Sequence, residues 1–173
     1  AEWKALWKSC ERLKSSNLYI NDTNLLTTNA IRTQLQILAK SQSIDVIAID
    51  SLQSLVASNP KANRNDELEI ARDLKAISIE FNVPIIVTSQ LNRSLEDRHF
   101  KEPLLSDVGT SNHIVNVADL VLLLYREDYY SSNTENPNIA ELKLAKHRFG
   151  PTTTIFLFFQ KDYGAFFHNF KHS

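Results

Sequence analysis

Two short apolar runs in this chain each end in residues able to handle phosphate. Ile44-Asp45-Val46-Ile47-Ala48-Ile49 closes on Asp50, and Ile85-Ile86-Val87 closes on Thr88-Ser89-Gln90. A carboxylate after a buried strand can hold Mg²⁺, usually through water, beside the β- and γ-phosphates of a nucleotide. An amide after the neighbouring strand can contact a γ-phosphate and sense its presence. Ligands of open α/β sheets bind outside the carboxyl ends of the strands, so the pair describes nucleotide hydrolysis. Each residue also has an ordinary reading, since Asp after a strand caps the helix that follows and Gln there serves as a turn residue.

The other half of such a site is a glycine-rich loop, G-x-x-x-x-G-K-[ST], whose backbone N–H groups and lysine cradle the phosphates. None of the three glycines, Gly109, Gly150 and Gly164, precedes Lys-Ser or Lys-Thr. The chain contains no methionine and opens within a helical pattern. The expectation is a single domain over residues 1–173, truncated at its N-terminal side so that the phosphate-loop strand and helix are absent.

The elements that must position these residues follow from periodicity. Trp3, Leu6, Trp7, Cys10 and Leu13 recur at helical spacing, with Cys10 expected as a buried thiol. Asn17-Leu18-Tyr19-Ile20 reads as a short strand. Thr27 or Thr28 caps a helix through Ile31, Leu35 and Leu38, and Asp66 caps another carrying Ile70, Leu74, Ile77 and Phe81. The run from Ile44 to Ile49 has the pattern of a strand buried on both faces, and Leu120 to Leu124 that of a further buried strand. Ser58 to Asn65 and Ser131 to Asn138 are exposed loops, and Arg93 to Asn112 is a long irregular connection. Alternation from Ala140 to Leu144, a turn at Phe149-Gly150-Pro151 and the apolar segment Thr154 to Phe159 make a closing hairpin.

Composition sets the outer bounds. With 173 residues, 43% hydrophobic and 23% charged, the chain suits one soluble globular domain, and its formal charge of -1 gives no global nucleic-acid signature. DNA contact would have to be local or shared among subunits. The single Cys10 excludes an internal disulfide and suits a reducing, cytoplasmic setting. The longest apolar run is far below the roughly 18 residues of a membrane span. The five histidines lack metal-ligand spacing, with His168 and His172 read as part of a polar tail.

Ile49-Asp50-Ser51-Leu52-Gln53, Ser89-Gln90-Leu91-Asn92-Arg93-Ser94-Leu95-Glu96, Ser106-Asp107, Ala118-Asp119-Leu120 and Lys146-His147-Arg148-Phe149-Gly150-Pro151 form a long specific series. Together they resemble the C-terminal motor domain of DnaB-type replicative DNA helicases, from about Asn17 to the end of the chain. The resemblance implies an α/β, RecA-like fold: a mainly parallel sheet flanked by helices, with an antiparallel C-terminal hairpin. It implies ATP and Mg²⁺, a hexameric ring translocating on single-stranded DNA, and contact with a primase and a helicase loader. Residue by residue, it implies Asp50 as the magnesium-side acid, Gln90 as the γ-phosphate sensor, and Arg148 with Lys146 completing the neighbouring subunit's site. The family carries a DNA-facing loop in the region of Val108 to Val117, which includes Gly109, and Arg93, Arg98 and Lys101 lie nearby as candidate phosphate partners.

Two departures stand out. Ser51 replaces the usual Tyr after the acid, a choice shared with recombinase and clock-type ATPases. Val108 to Val117 lacks the arginine and acidic residues usual after Ser-Asp, which bears on coupling between DNA and nucleotide. A degenerate, non-enzymatic RecA-fold module that binds a partner is the alternative, and a recombination or clock-type ATPase ranks third. The isolated chain is expected to be marginally stable or self-associated and to bind ATP poorly.

Overall fold

The computed structural model describes residues 2–59, 66–109 and 113–168. Its elements run in the order α1 (Glu2–Lys14), α2 (Thr28–Leu38), β1 (Ile47–Ile49), α3 (Glu67–Phe81), β2 (Ile85–Val87), α4 (His113–Val117), β3 (Leu120–Tyr125), α5 (Glu127–Tyr130), β4 (Ile139–His147), β5 (Thr153–Gln160) and β6 (Ala165–His168). Single 3₁₀ turns lie at Leu52–Ser54, Arg93–Asp97 and Leu105–Asp107.

Local chemistry explains the main helices. Thr27 caps α2, its side chain accepting from the Ala30 N–H, and Asp66 caps α3 by accepting from Leu68 and Glu69. Glu67 and Glu69 place negative charge at the positive end of the α3 dipole. Asn82, left-handed at φ 51, ends α3, and Pro84 follows before β2. Ile70, Leu74 and Ile77 of α3 share a core with Ile31 and Leu35 of α2 and with Leu52 and Leu55. Ile47, Ile49 and Ile85 pack against that core from the sheet.

β1 and β2 pair in parallel, Ile47 opposite Ile85 and Ile49 opposite Val87. β3, β4, β5 and β6 form a separate antiparallel sheet in that order. The antiparallel part is larger than a hairpin, because β3 pairs with β4 and β6 adds a fourth strand. His168 therefore ends a strand and does not belong to a polar tail. A second small core of Val108, Val115 and Leu123 joins this sheet to α4.

Several expected features differ. Asn17 to Ile20 is irregular and exposed, with no strand to complete its hydrogen bonds among the described residues. β1 begins only at Ile47, and it is covered on one face: Ile47 and Ile49 pack inward while Val46 is 52% exposed. β3 likewise buries Leu123 but leaves Leu120, Leu122 and Leu124 exposed, because the described helices cover only one side. Cys10 is exposed, since the apolar face of α1 is left uncovered by the described residues. Of the loop expected over 58–65, positions 60–65 lie outside the described residues, as do Thr110, Ser111, Asn112 and His172.

Ile77 is fully buried between α2, α3 and the strands. Ile77→Ala is expected to lower unfolding free energy by about 2 to 5 kcal/mol, read from urea denaturation. The open apolar face predicts self-association of the isolated chain, which sedimentation would refute by showing a monomer with no dye-accessible apolar surface.

Candidate nucleotide site

The β1–β2 register decides what meets at the carboxyl end of the parallel pair. Because Ile49 faces Val87, Asp50 follows opposite Thr88, and Thr88 Oγ1 donates to Asp50 Oδ1 at 2.6 Å. The pairing continues past the strands: the Thr88 N–H donates to the Ile49 carbonyl at 3.0 Å and the Leu52 N–H to the Thr88 carbonyl at 2.8 Å. Side chains alternate along a strand, so Asp50 continues the side of exposed Ala48, and Thr88 the side of exposed Ile86. Both hydrophilic groups thus stand on the face that α2 and α3 leave open. Gln90, two residues beyond Thr88, is exposed beside them, and the Asp50–Ser51 peptide is cis.

The backbone of Gln90 is held on both sides. Its N–H donates to Gln53 Oε1 at 3.2 Å, and its carbonyl accepts from the Gly109 N–H at 3.3 Å. Its side-chain amide therefore projects from a fixed anchor. Asp50 and Thr88 form a hydrogen-bonded pair at the ends of β1 and β2, and Gln90 follows two residues on, a set of oxygen and amide groups fit for a hard cation and phosphate oxygens.

Arg148 and Lys146 sit elsewhere. The β3–β4 register sets Leu120 opposite His147, which brings Arg148 beside Asp119. Arg148 Nη1 meets Asp119 Oδ1 at 2.7 Å, Nη2 donates to the Asn116 carbonyl at 3.2 Å, and the Arg148 N–H donates to the Asp119 carbonyl at 2.9 Å. Lys75 of α3 binds the other carboxylate oxygen of Asp119 at 2.5 Å. Lys75 lies two turns along α3 from Glu67, about 12 Å at 1.5 Å per residue. Since Glu67 bonds Gln53 beside Gln90, the guanidinium and the Asp50–Gln90 cluster belong to different regions of the chain. The Arg148 side chain is 40% exposed and lies on the surface.

Lys146 differs from the direct role that resemblance implies. Its ammonium donates to the carbonyls of Val115 at 2.6 Å, Ala118 at 2.7 Å and Asn116 at 3.5 Å. It satisfies the carboxyl end of α4, where backbone acceptors would otherwise lack partners.

The expected DNA-facing residues separate by environment. Arg93 is exposed at the start of its 3₁₀ turn. Arg98 is tied to Asp107 at 2.6 Å and to the Glu102 carbonyl at 3.2 Å, bracing the irregular connection. Lys101 donates to the Glu96 carbonyl. Gly109 is buried, left-handed at φ 67, and its N–H is already bonded to Gln90. The sequence alone assigns no role to Gln53, Glu67 or Asp119. Gln53 and Asp119 fall inside the quoted motif strings, a usable signal, whereas Glu67 reads as an ordinary first-turn acid.

The carboxyl of Asp119 titrates below its usual value, chiefly because Lys75 donates to it, with further help from the charges of Arg148 and Lys146. A carboxyl that holds its proton less tightly when folded contributes stability above about pH 4 and loses it as pH falls through the lowered value. The difference in melting temperature between wild type and Asp119→Asn is therefore expected to shrink from about pH 6 to about pH 3; an unchanged difference would contradict the clamp. At Gly109, an added Cβ would lie 2.4 Å from Ile114 Cδ1 and 2.8 Å from Glu67 Oε2. Gly109→Ala combines that clash with left-handed strain and is expected to cost about 1 to 2 kcal/mol or more, measurable by chemical denaturation.

Comparison with known proteins fits this geometry. The family model of the DnaB-like helicase C-terminal domain matches residues 1–168. A probable replicative DNA helicase of Trieres chinensis is 45% identical over 172 residues, covering 96% of this chain and 38% of its own length. The replicative DNA helicase DnaC of Bacillus subtilis (strain 168) is 41% identical over 167 residues, covering 95% of this chain and 37% of its own length. The chain thus spans little more than a third of these relatives. A solved DnaB-like replicative helicase, studied with its primase interactions, superposes with a TM-score of 0.88 at 36% identity, covering 96% of this chain and 41% of its own. The RecA-like fold read from the strand and motif order is the fold of these neighbours. By its motifs, its architecture and the near-complete span of the match, the chain belongs to the DnaB-like helicase C-terminal domain family.

Proposed function

We propose that this chain is part of the motor of an ATP-driven, hexameric replicative DNA helicase, and that it supplies two separate portions of a nucleotide site formed between subunits. The observation that carries this reading is where the groups are held: Asp50 and Gln90 follow the paired strands β1 and β2, while Arg148 is held on the surface by Asp119 at the end of β4. A site assembled from two copies needs that arrangement.

Asp50 is suited to hold Mg²⁺ through water. No group of three or more His, Cys, Asp or Glu able to hold a metal occurs among the described residues, and a single carboxylate supplemented by water and phosphate oxygens suits magnesium in nucleotide sites. Bound there, the ion would neutralise charge on the β- and γ-phosphate oxygens. Thr88, donating to Asp50, orients the carboxylate. Gln90 presents its amide to the γ-phosphate from an anchored backbone. Arg148, supplied to the next subunit, places a rigid guanidinium beside the developing negative charge, so turnover depends on subunit contact. Lys146 contributes by bracing α4, next to the Asp119 that orients Arg148.

Single-stranded DNA is the proposed track. Arg93 is the best placed of the four candidates to meet its phosphates, because Arg98, Lys101 and Gly109 are engaged within the chain. Contacts of this kind position a strand without reading its sequence. A primase and a helicase loader are proposed partners of the complete protein, and the cytoplasm its location. No helix among the described residues is long and apolar enough to cross a membrane.

In the full-length protein, Asp50→Asn and Arg148→Ala are each expected to lower DNA-stimulated ATP turnover by about 10² to 10³-fold. Mixing the two inactive variants is expected to restore measurable turnover, because some interfaces then pair an intact acid with an intact arginine. Near-wild-type turnover by Arg148→Ala, or mixed rings no better than either variant alone, would overturn the intersubunit assignment.

A further inference from the structure

The side chain of Gln53, in the 3₁₀ turn that follows Asp50, joins three segments at once. Its Oε1 accepts from the Gln90 N–H at 3.2 Å, while its Nε2 donates to Glu67 Oε1 at 2.8 Å and to Ser89 Oγ at 3.1 Å. Glu67 is 7% exposed in the first turn of α3. Its second oxygen lies 2.8 Å from where a Cβ on residue 109 would stand, so only a glycine there lets the carboxylate approach so closely. Gly109 in turn donates its N–H to the Gln90 carbonyl. Gln53, Gln90, Gly109 and Glu67 therefore close a ring.

We propose that Gln53 is a positioning residue for the γ-phosphate-facing Gln90, and that Glu67, held by Gln53 and packed on Gly109, ties the position of Gln90 to α4, which packs on Gly109. The proposal rests on the reading of Gln90 given above. Both backbone polar groups of Gln90 are bonded within the ring, so Gln90 cannot shift towards a ligand without moving Gln53 or Gly109. The orientation of the Gln53 amide is set by its neighbours: the nitrogen must face the Glu67 carboxylate, and the oxygen must face the Gln90 N–H. Replacing that nitrogen by oxygen sets two acceptors against each other at a partly buried contact, where an unmet acceptor is costly. Gly109 lies against Ile114 of α4, whose Cδ1 is 2.4 Å from where a Cβ on residue 109 would stand, and the carboxyl-end carbonyls of α4 bind Lys146 and Arg148. Displacement of Gln90 would then be felt on the side of the chain that presents the arginine.

The test uses the full-length protein and ATP turnover measured with and without single-stranded DNA. Gln53→Glu keeps size and shape but turns the donor towards Glu67 into an acceptor. It is expected to lower kcat about tenfold or more, with KM for ATP within about twofold, and to reduce the fold-stimulation by DNA. Gln53→Glu with Glu67→Gln reverses donor and acceptor, restores the bond, and is expected to recover turnover and stimulation to within about threefold of wild type. Wild-type kcat and stimulation in folded Gln53→Glu would overturn the proposal. If Gln53→Glu does not fold, the double variant decides alone, since turnover as low as that of Gln90→Ala would overturn it and near-wild-type turnover would support it. Gln90→Ala separates the two levels. Wild-type turnover in Gln90→Ala would remove the γ-phosphate reading itself, whereas an inactive Gln90→Ala beside an unaffected Gln53→Glu would remove only the role of Gln53.

Discussion

The parallel pairing of β1 and β2 determines which side chains share the face opposite α2 and α3. Three residues per strand are few, yet the ladder is extended by the bonds from Thr88 to Ile49 and from Leu52 to Thr88, which fix the alignment beyond the regular strands. Side chains alternate with a period of two, so a slip of one residue would turn Asp50 towards the buried isoleucines and send Ile49 to the open side. Burial of Ile47, Ile49 and Ile85 against the helices opposes that slip. The hydrophobic core and the placement of the acid are one constraint.

α3 relates the two chemical regions. Its first turn carries Glu67, which bonds Gln53 beside Gln90, and two turns later Lys75 holds the carboxylate that also holds Arg148. The buried face between those positions, Ile70, Leu74 and Ile77, makes the helix a firmly packed spacer between them. Stability and the spacing of the functional groups thus depend on the same stripe of side chains. The opposite side of the strands is open and apolar, with Ile86 61% and Leu122 53% exposed. A surface of that kind is costly in water and favours contact with further protein.

The relation between Arg148 and Asp119 illustrates how position and availability differ. One hydrogen bond and a salt bridge orient the guanidinium, and the Arg148 N–H anchors its backbone, but its exposure keeps it on the surface. Ion pairs with solvent access are weak, so Asp119 can hold the side chain in a defined place without burying it beyond reach. Lys146, by contrast, meets three carbonyls and is fixed. Adjacent cations of the same motif thereby acquire different duties from backbone groups that neither motif spacing nor charge reveals.

Local rules in the sequence settled the helices and their caps. Thr27 and Asp66 sit where orphan N–H groups need acceptors, and the apolar stripes of α2 and α3 repeat at helical spacing. Asp50, Gln90 and Arg148 were visible as motif residues because strand-ending polar groups and specific strings are local in the chain. Tertiary structure decided what those strings could not: that β1 and β3 are covered on one side only, that α1 leaves Cys10 exposed, and that Ala165–His168 pairs as a strand. It also decided that Gln53 and Glu67 meet at Gln90, and that Arg98 braces a loop. Capping and periodicity act over a few residues and leave a mark in the sequence. Coverage of a face and partners tens of residues apart depend on which elements come together, which no single segment encodes.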